Sequence, residues 1–400
     1  MEVLGIEELP IEGKKVLMRV DFNVPLDGEG NISDPTRIEA ALPSIRYVLA
    51  RGGILILMSH LGRPRNEPNP ELSLAPVAKD LGALLRKQVI MAPDCIGEEI
   101  EKLVASLKTG EVLLLENLRF HRAETHPEED PTFAQKLAKL ADLYINDAFG
   151  TAHREHSSTY TITKYFPGKA AAGFLLEKEI RYLGEMLENP KRPFYAILGG
   201  AKISTKLGVL RRLLEKVDRL FLGGGMAYTF LKAEGREVGN SLVEEPLIPL
   251  ASEILNEHRE KIVLPLDVLA AEECTEEAPI KVCEVKEGIP AGFEGLDIGP
   301  KTIETYSQKL SEAKTILWNG PLGVFELDPF AKGTLAILHA ITRGDAITIL
   351  GGGDLVAATK KTEVGEQVTH LSTGGGATLE YLEKGSLPAL SALTHPSARH

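Results

Sequence analysis

In the first half of the chain, basic and polar side chains recur just after apolar runs. Residues 14–25 read as a strand feeding a loop with Arg19, Asp21 and Asn23, and residues 53–64 as another with His60, Leu61, Gly62 and Arg63. Residues 111–122 end on Arg119 and His121, and residues 140–158 on His153, Arg154 and His156. Arg37 falls in the first turn of a helical pattern over residues 35–50, with Ile38, Ala41, Leu42, Ile45 and Leu49 on one face. A solvated loop charge would explain any one of these arginines. It does not explain four such loops, because gathered cations repel one another unless an anion is expected. Guanidinium forks match phosphate and carboxylate bidentately, and an imidazole adds a directional donor. The fitting ligand is a small, multiply charged anion such as a phosphorylated acid.

The second half puts glycines where the first puts arginines. Residues 346–361 run from an apolar strand through Gly351, Gly352, Gly353 and Asp354 into a helix-compatible segment. Glycines let backbone N–H groups approach an anion, and a helix N-terminus adds unpaired donors. A carboxylate beside phosphates makes sense as a ligand for a divalent cation. A tight turn without a ligand is the competing reading for one such motif, but Gly199-Gly200-Ala201, Gly223-Gly224-Gly225 and Gly374-Gly375-Gly376 repeat it. Lys202 and Lys206 are spaced to share one side of a helix start, where two cations oppose the macrodipole and favour an anionic ligand. Residues 316–326 add a strand whose loop carries Asn319, Gly320, Pro321 and Glu326. Glu326 could accept from a ribose or be a plain surface carboxylate.

Continuous apolar strands alternating with helical segments predict parallel sheets covered on both faces, with ligands outside the carboxyl ends of the strands. A chain of 400 residues predicts two domains, and 43% hydrophobic with 26% charged residues predicts a soluble globular protein. Residues 175–188 have a helical pattern stopped by Asn189-Pro190, which suits a connector. No apolar run approaches the roughly 20 residues of a membrane span and no leader pattern is evident, so a cytoplasmic protein without membrane partners is expected. A net charge of −12 argues against nonspecific nucleic-acid binding. Cys95, Cys274 and Cys283 lack the number and spacing of a disulfide framework or zinc site. Neither G-x-x-x-x-G-K-[ST] nor G-x-G-x-x-G occurs, and a nicotinamide-dependent oxidoreductase would need the latter. A noncatalytic anion sensor would have no use for Lys202, Lys206 and Asp354.

Eight stretches, taken in order, resemble the phosphoglycerate kinase family across almost the whole chain: residues 19–25, 59–64, 116–121, 150–154, 199–202, 318–321, 351–354 and 372–376. The resemblance implies an α/β fold of two doubly wound, Rossmann-like parallel-sheet domains joined by a hinge helix. Residues 1–173 would bind the triose acid, residues 174–189 form the hinge and residues 190–380 bind nucleotide, with residues 381–400 packing back on the first domain. Asp21, Phe22, Asn23, Arg37, His60, Leu61, Gly62, Arg63, Arg119 and Arg154 would hold the triose substrate. Gly200, Ala201, Lys202, Lys206, Gly225, Gly295, Asn319, Pro321, Glu326, Gly351, Gly352, Gly353 and Asp354 would hold the nucleotide, with Asp354 near Mg2+. Arg37 and Lys206 would touch the transferring group, and Gly352 and Gly375 would donate backbone N–H groups to the transition state. The implied activity is reversible phosphoryl transfer between 1,3-bisphosphoglycerate and Mg-ADP, giving 3-phosphoglycerate and Mg-ATP after hinge closure, in a monomeric glycolytic enzyme. Two positions depart from the family pattern: Leu355 replaces a small hydroxyl residue and Glu155 a small one.

Overall fold

Val16, Leu17, Met18 and Val20 are all fully buried although they alternate between two faces of one strand, as in a parallel sheet covered on both sides. The computed structural model describes residues 3–65 and 67–394. The chain divides into one unit of residues 1–181 together with the segment from Ser386, and a second unit of residues 182–385.

The first unit is built on β1 (Lys15–Val20), β2 (Ile54–Met58), β3 (Val89–Met91), β4 (Val112–Leu114), β5 (Leu143–Asp147) and β6 (Ala170–Ala172). They lie in the order β3-β4-β2-β1-β5-β6, with every pair parallel. On one face Val16, Met18, Val20, Leu55, Leu57, Val112 and Leu114 share a core with Ile38, Ile45 and Val48 of the helix Thr36–Ala50. The predicted face of that helix is therefore the buried one, apart from Leu49, which is half-buried.

The second unit has β7 (Phe194–Leu198), β8 (Arg219–Leu222) and β9 (Ile262–Val263), then β10 (Asp267–Ala271), β11 (Lys281–Glu284) and β12 (Glu294–Ile298), then β13 (Thr315–Asn319), β14 (Ile347–Gly351) and β15 (His370–Ser372). Its main sheet runs β15-β14-β13-β7-β8-β9, again parallel throughout. Trp318, at its centre, packs with Leu350, Leu355 and Ile337. A second sheet, β11-β10-β12, is antiparallel and was not expected from the sequence. Its edge strand β11 leaves Lys281 and Val282 exposed, so no continuous apolar run marks it.

The division between units falls inside the helix Phe174–Glu188, between Arg181 and Tyr182. Asp147, at the end of β5, caps that helix by accepting from the Leu175 and Leu176 N–H groups at 2.9 and 3.1 Å. The chain re-enters the first unit at Ser386, five residues later than the expected 381. Tyr381 and Leu382 are buried in the helix Gly376–Lys384, which packs on the helix Leu207–Lys216 of the second unit. In the returning segment the Ala389 N–H donates to the Ala152 carbonyl at 3.1 Å; residues 395–400 of the expected return lie outside the described residues. No helix among the described residues is long and apolar enough to cross a membrane.

Candidate functional site

Parallel pairing puts the carboxyl ends of β4, β2, β1 and β5 side by side. The loops after them carry, in that order, Arg119, His60 to Arg63, Asp21 to Asn23, and Arg154. Hydrogen bonds lock neighbouring loops together. The Phe22 N–H donates to Ser59 Oγ at 2.8 Å, the Gly62 N–H to Asn23 Oδ1 at 2.8 Å, and Arg119 Nη1 to the Gly62 carbonyl at 2.8 Å. Asn117 caps the turn Leu118–Phe120 by accepting from the Arg119 N–H, and donates to the carbonyls of Leu61 and Leu72. Arg37 reaches from the first turn of its helix to Asp21, with Nη1 to Oδ2 at 2.7 Å. Arg63 and Arg154 are exposed.

The electrostatics are those of gathered cations, which suit an anion. Burial, reinforced by Arg19, Arg119 and Arg37, holds the His60 imidazole well below its ordinary range. Burial and then Arg19 bring Arg119 down to about 10, and its Nε has no hydrogen-bond partner among the described residues. His156 is brought down to about 3 by burial and by Arg119, Arg19 and Arg154. Cations that depress one another in this way gain from a bound anion.

Not every expected residue faces the crevice. Arg19 is fully buried, donating to Ser158 Oγ at 2.8 Å and to the Val20 carbonyl. His121 is bound by Nε2 to Asp94 Oδ1 at 2.6 Å, and its ring lies against Phe133. Phe22 and Leu61 bury their side chains in the core, so only their backbones are left for a ligand. Glu155 is exposed and forms no ion pair among the described residues, so it does not neutralise Arg154. The sequence reading missed Glu124, a fully buried carboxylate beneath the crevice. Its surroundings, Arg122-Ala123-Glu124-Thr125-His126, look like a solvated loop, and only its distant partners reveal it.

In the second unit the ends of β14, β13, β7 and β8 are adjacent and carry Gly351 to Asp354, Asn319 to Pro321, Gly199 to Ala201, and Gly223 to Gly225. The Gly199 N–H donates to the Asn319 carbonyl at 3.0 Å, the Gly200 N–H to the Pro321 carbonyl at 2.9 Å, and Asn319 Nδ2 to the Gly351 carbonyl at 2.9 Å. Gly320 has φ +84°, and a Cβ there would run into Lys206 Nζ and the Gly199 backbone. Gly352, at φ +111°, caps the helix Gly353–Thr362, whose first-turn N–H groups offer an anion seat. Asp354 is exposed on that first turn and makes no hydrogen bond or ion pair among the described residues. Gly225 and Gly375 cap the helices Met226–Ala233 and Gly376–Lys384. Gly295 lies in β12, donating its N–H to Ser241 Oγ at 2.9 Å with Tyr228 against it. The Val324 N–H joins β12 through the Leu296 carbonyl at 2.8 Å, two residues before the exposed Glu326.

Lys202 and Lys206 do not share a helical turn. The helix begins at Leu207 with Lys206 as its cap, and the residues before it form turns held by Lys206 N–H to the Ile203 carbonyl and Thr205 Oγ1 to the Lys202 carbonyl. Lys202 is exposed, whereas Lys206 Nζ turns inward to the carbonyls of Gly199 at 2.7 Å and Asn319 at 3.3 Å. Burial brings its ammonium down to about 8, against the opposing pull of Asp354. Leu355 points into the core beside Trp318, so its departure from the family pattern fills a packing position.

The family model described as phosphoglycerate kinase matches residues 6–385. The phosphoglycerate kinases of Chlorobaculum tepidum and Moorella thermoacetica are 55% and 53% identical, over 98% of this chain and all of theirs. The solved structure of phosphoglycerate kinase from Coxiella burnetii superposes with a TM-score of 0.87 at 38% identity, covering 98% of both chains. With two parallel six-stranded sheets presenting these loops, the chain belongs to the phosphoglycerate kinase family.

Proposed function

We propose that the chain catalyses reversible phosphoryl transfer between 1,3-bisphosphoglycerate and Mg-ADP, yielding 3-phosphoglycerate and Mg-ATP. The observation that carries most weight is the gathering of cations in the first unit's crevice, above all Arg119, which is part-buried with an Nε that has no hydrogen-bond partner among the described residues. The triose acid would bind there through Arg37, Arg63, Arg119, Arg154, His60 and Asn23. The nucleotide would bind in the second unit along Gly200, Gly225, Gly295, Asn319, Glu326 and Gly351 to Asp354. An exposed carboxylate on the first turn of a phosphate-seating helix suits a hard divalent cation that takes its other ligands from phosphate and water. Asp354 is therefore the residue that would hold Mg2+, which when bound neutralises phosphate charge.

The attacking oxygen, on a carboxylate or a phosphate, is already ionised at neutral pH, so no general base is needed. The residues contribute alignment and charge stabilisation. Arg37 would exchange Asp21 for the transferring group, and Lys206 would exchange two carbonyls for it. Gly352 and Gly375 would add N–H donors. Ligands on separate units must be brought together for transfer, and the helix Phe174–Glu188 is our choice for the pivot. A coupled assay for ATP formation from 1,3-bisphosphoglycerate and ADP tests the activity; its absence in folded protein would overturn the reading. In that assay Arg37→Ala should lower kcat by about 10²–10³ with a smaller change in KM, as for loss of one preorganised donor. An effect on KM alone would reassign Arg37 to ground-state binding.

A further inference from the structure

Under the cationic crevice lies a chain of hydrogen bonds that draws on four strand-end regions, and its members are buried. Glu124 accepts twice from Ser158, from its hydroxyl at Oε1 (2.6 Å) and from its N–H at Oε2 (3.0 Å). The Ser158 hydroxyl in turn accepts from Arg19 Nε at 2.8 Å, and Tyr144 fixes the Ser158 carbonyl at 2.8 Å. Arg19 Nη2 lies 3.9 Å from Glu124 Oε1 and 3.2 Å from His60 Nδ1. Arg19, Glu124, Ser158 and Tyr144 are fully buried, and His60 is 3% exposed.

The Arg19–His60 contact has one reading. A guanidinium donates and never accepts, so Nδ1 of His60 must carry a lone pair. Burial and the surrounding arginines keep the ring neutral, and a neutral ring with bare Nδ1 has its hydrogen on Nε2. That Nε2 makes no hydrogen bond among the described residues and keeps a little solvent access, so its N–H is open to an outside acceptor although the rest of the side chain is enclosed. Arg19 could not remain there alone, because a buried cation needs a counter-charge. Glu124 supplies it: burial pushes its carboxyl up, Arg19 and the Ser158 hydrogen bonds pull against that, and both of its oxygens accept hydrogen bonds as a carboxylate does.

We infer that Glu124 is a positioning residue which, through Ser158 and Arg19, fixes His60 as a neutral Nε2–H donor for an oxyanion of the triose acid. The identity of the ligand rests on the activity proposed above; the tautomer does not. Glu124 touches no substrate in this scheme. It sets the orientation of Arg19, and Arg19 sets the ring.

Two measurements separate these layers. Long-range proton–nitrogen correlation of the imidazoles in the substrate-free protein, assigned with His60→Gln, should show His60 neutral near about pH 7 with its hydrogen on Nε2. A hydrogen on Nδ1 would overturn the inference whether or not the enzyme acts on triose acids. Glu124→Gln keeps the shape and removes the charge. It should mix or invert the His60 tautomer and raise KM for 3-phosphoglycerate by about tenfold, the worth of one hydrogen bond, with KM for ATP and kcat changed much less. Glu124→Asp should recover part of the loss. If Glu124→Gln fails to fold, Ser158→Ala interrupts the same chain and should move the tautomer and the same KM in the same direction. An unchanged tautomer, or equal changes in both KM values and kcat, would make Glu124 a structural counter-ion only.

Discussion

Lys206 donates to the carbonyls of Gly199 and Asn319, poorer partners for an ammonium than a phosphate would be. Its ammonium is held near 8 by burial, with Asp354 as the opposing influence. A phosphate placed beside it would favour the charged form and raise that value. Below about pH 8 the lysine is already protonated and nucleotide binding takes up no proton there; above it, binding must draw one in. Affinity for Mg-ADP should therefore fall as pH rises past about 8, by at most about tenfold per pH unit for one linked proton. Calorimetry in buffers of different ionisation enthalpy should detect the uptake, and Lys206→Gln should bind more weakly and lose the dependence. Flat wild-type affinity across that range would mean that Lys206 does not meet phosphate.

At the scale of elements, Asp147 ties β5 to the helix Phe174–Glu188, and two influences on it compete. Burial pushes its carboxyl up to about 7, while hydrogen bonding to Ser44 and the N–H groups of Leu176 and Leu175 pulls it down. With the folded value above the unfolded one, the native state holds the extra proton between about pH 4 and 7. The contribution of Asp147 to stability is then largest below that window and is lost as pH rises through it. Asp147→Asn retains an acceptor oxygen without the charge, so it should gain on wild type between about pH 4.5 and 7.5 in denaturant unfolding of the first unit. Asp147→Ala, which loses the cap, should cost about 1 kcal/mol beyond the Asn variant. A pH-independent difference between Asn and Asp would show that the N–H donors outweigh burial.

Elements such as these were legible to different degrees. Burial on both faces makes β2 and β7 unbroken apolar runs and β1, β5, β13 and β14 largely apolar ones, so most of the residues following them could be recognised as strand-end groups. The three-residue strand β6, Ala170–Ala172, reads as a small-residue linker, and β11 is half exposed. Lys206 shows the limit for side chains: spacing placed it beside Lys202, but nearby carbonyls turned it inward. Arg19 and Glu124 show the same limit for pairs, since their shared partner Ser158 is 139 and 34 residues away.

For the whole molecule, two sheets with opposite endowments imply a division of labour. The first unit's strand ends carry guanidinium and imidazole groups, and the second unit's carry glycine turns with Lys206 and Asp354. A ligand that binds only the native form stabilises it by about 2.7 kcal/mol at roughly 100 times its Kd, and slows exchange in the backbone it holds. Hydrogen exchange with Mg-ADP alone should protect Gly199 to Ala201, Gly223 to Gly225 and Gly351 to Asp354, leaving Asp21 to Asn23 and His60 to Arg63 unchanged. With 3-phosphoglycerate alone the pattern should reverse. Protection that arises only with both ligands would report the movement that joins them, and should reach the helix Phe174–Glu188 if the pivot lies there. Protection of the first unit's loops by Mg-ADP alone would break the division, because the same cationic groups would then be serving nucleotide phosphates.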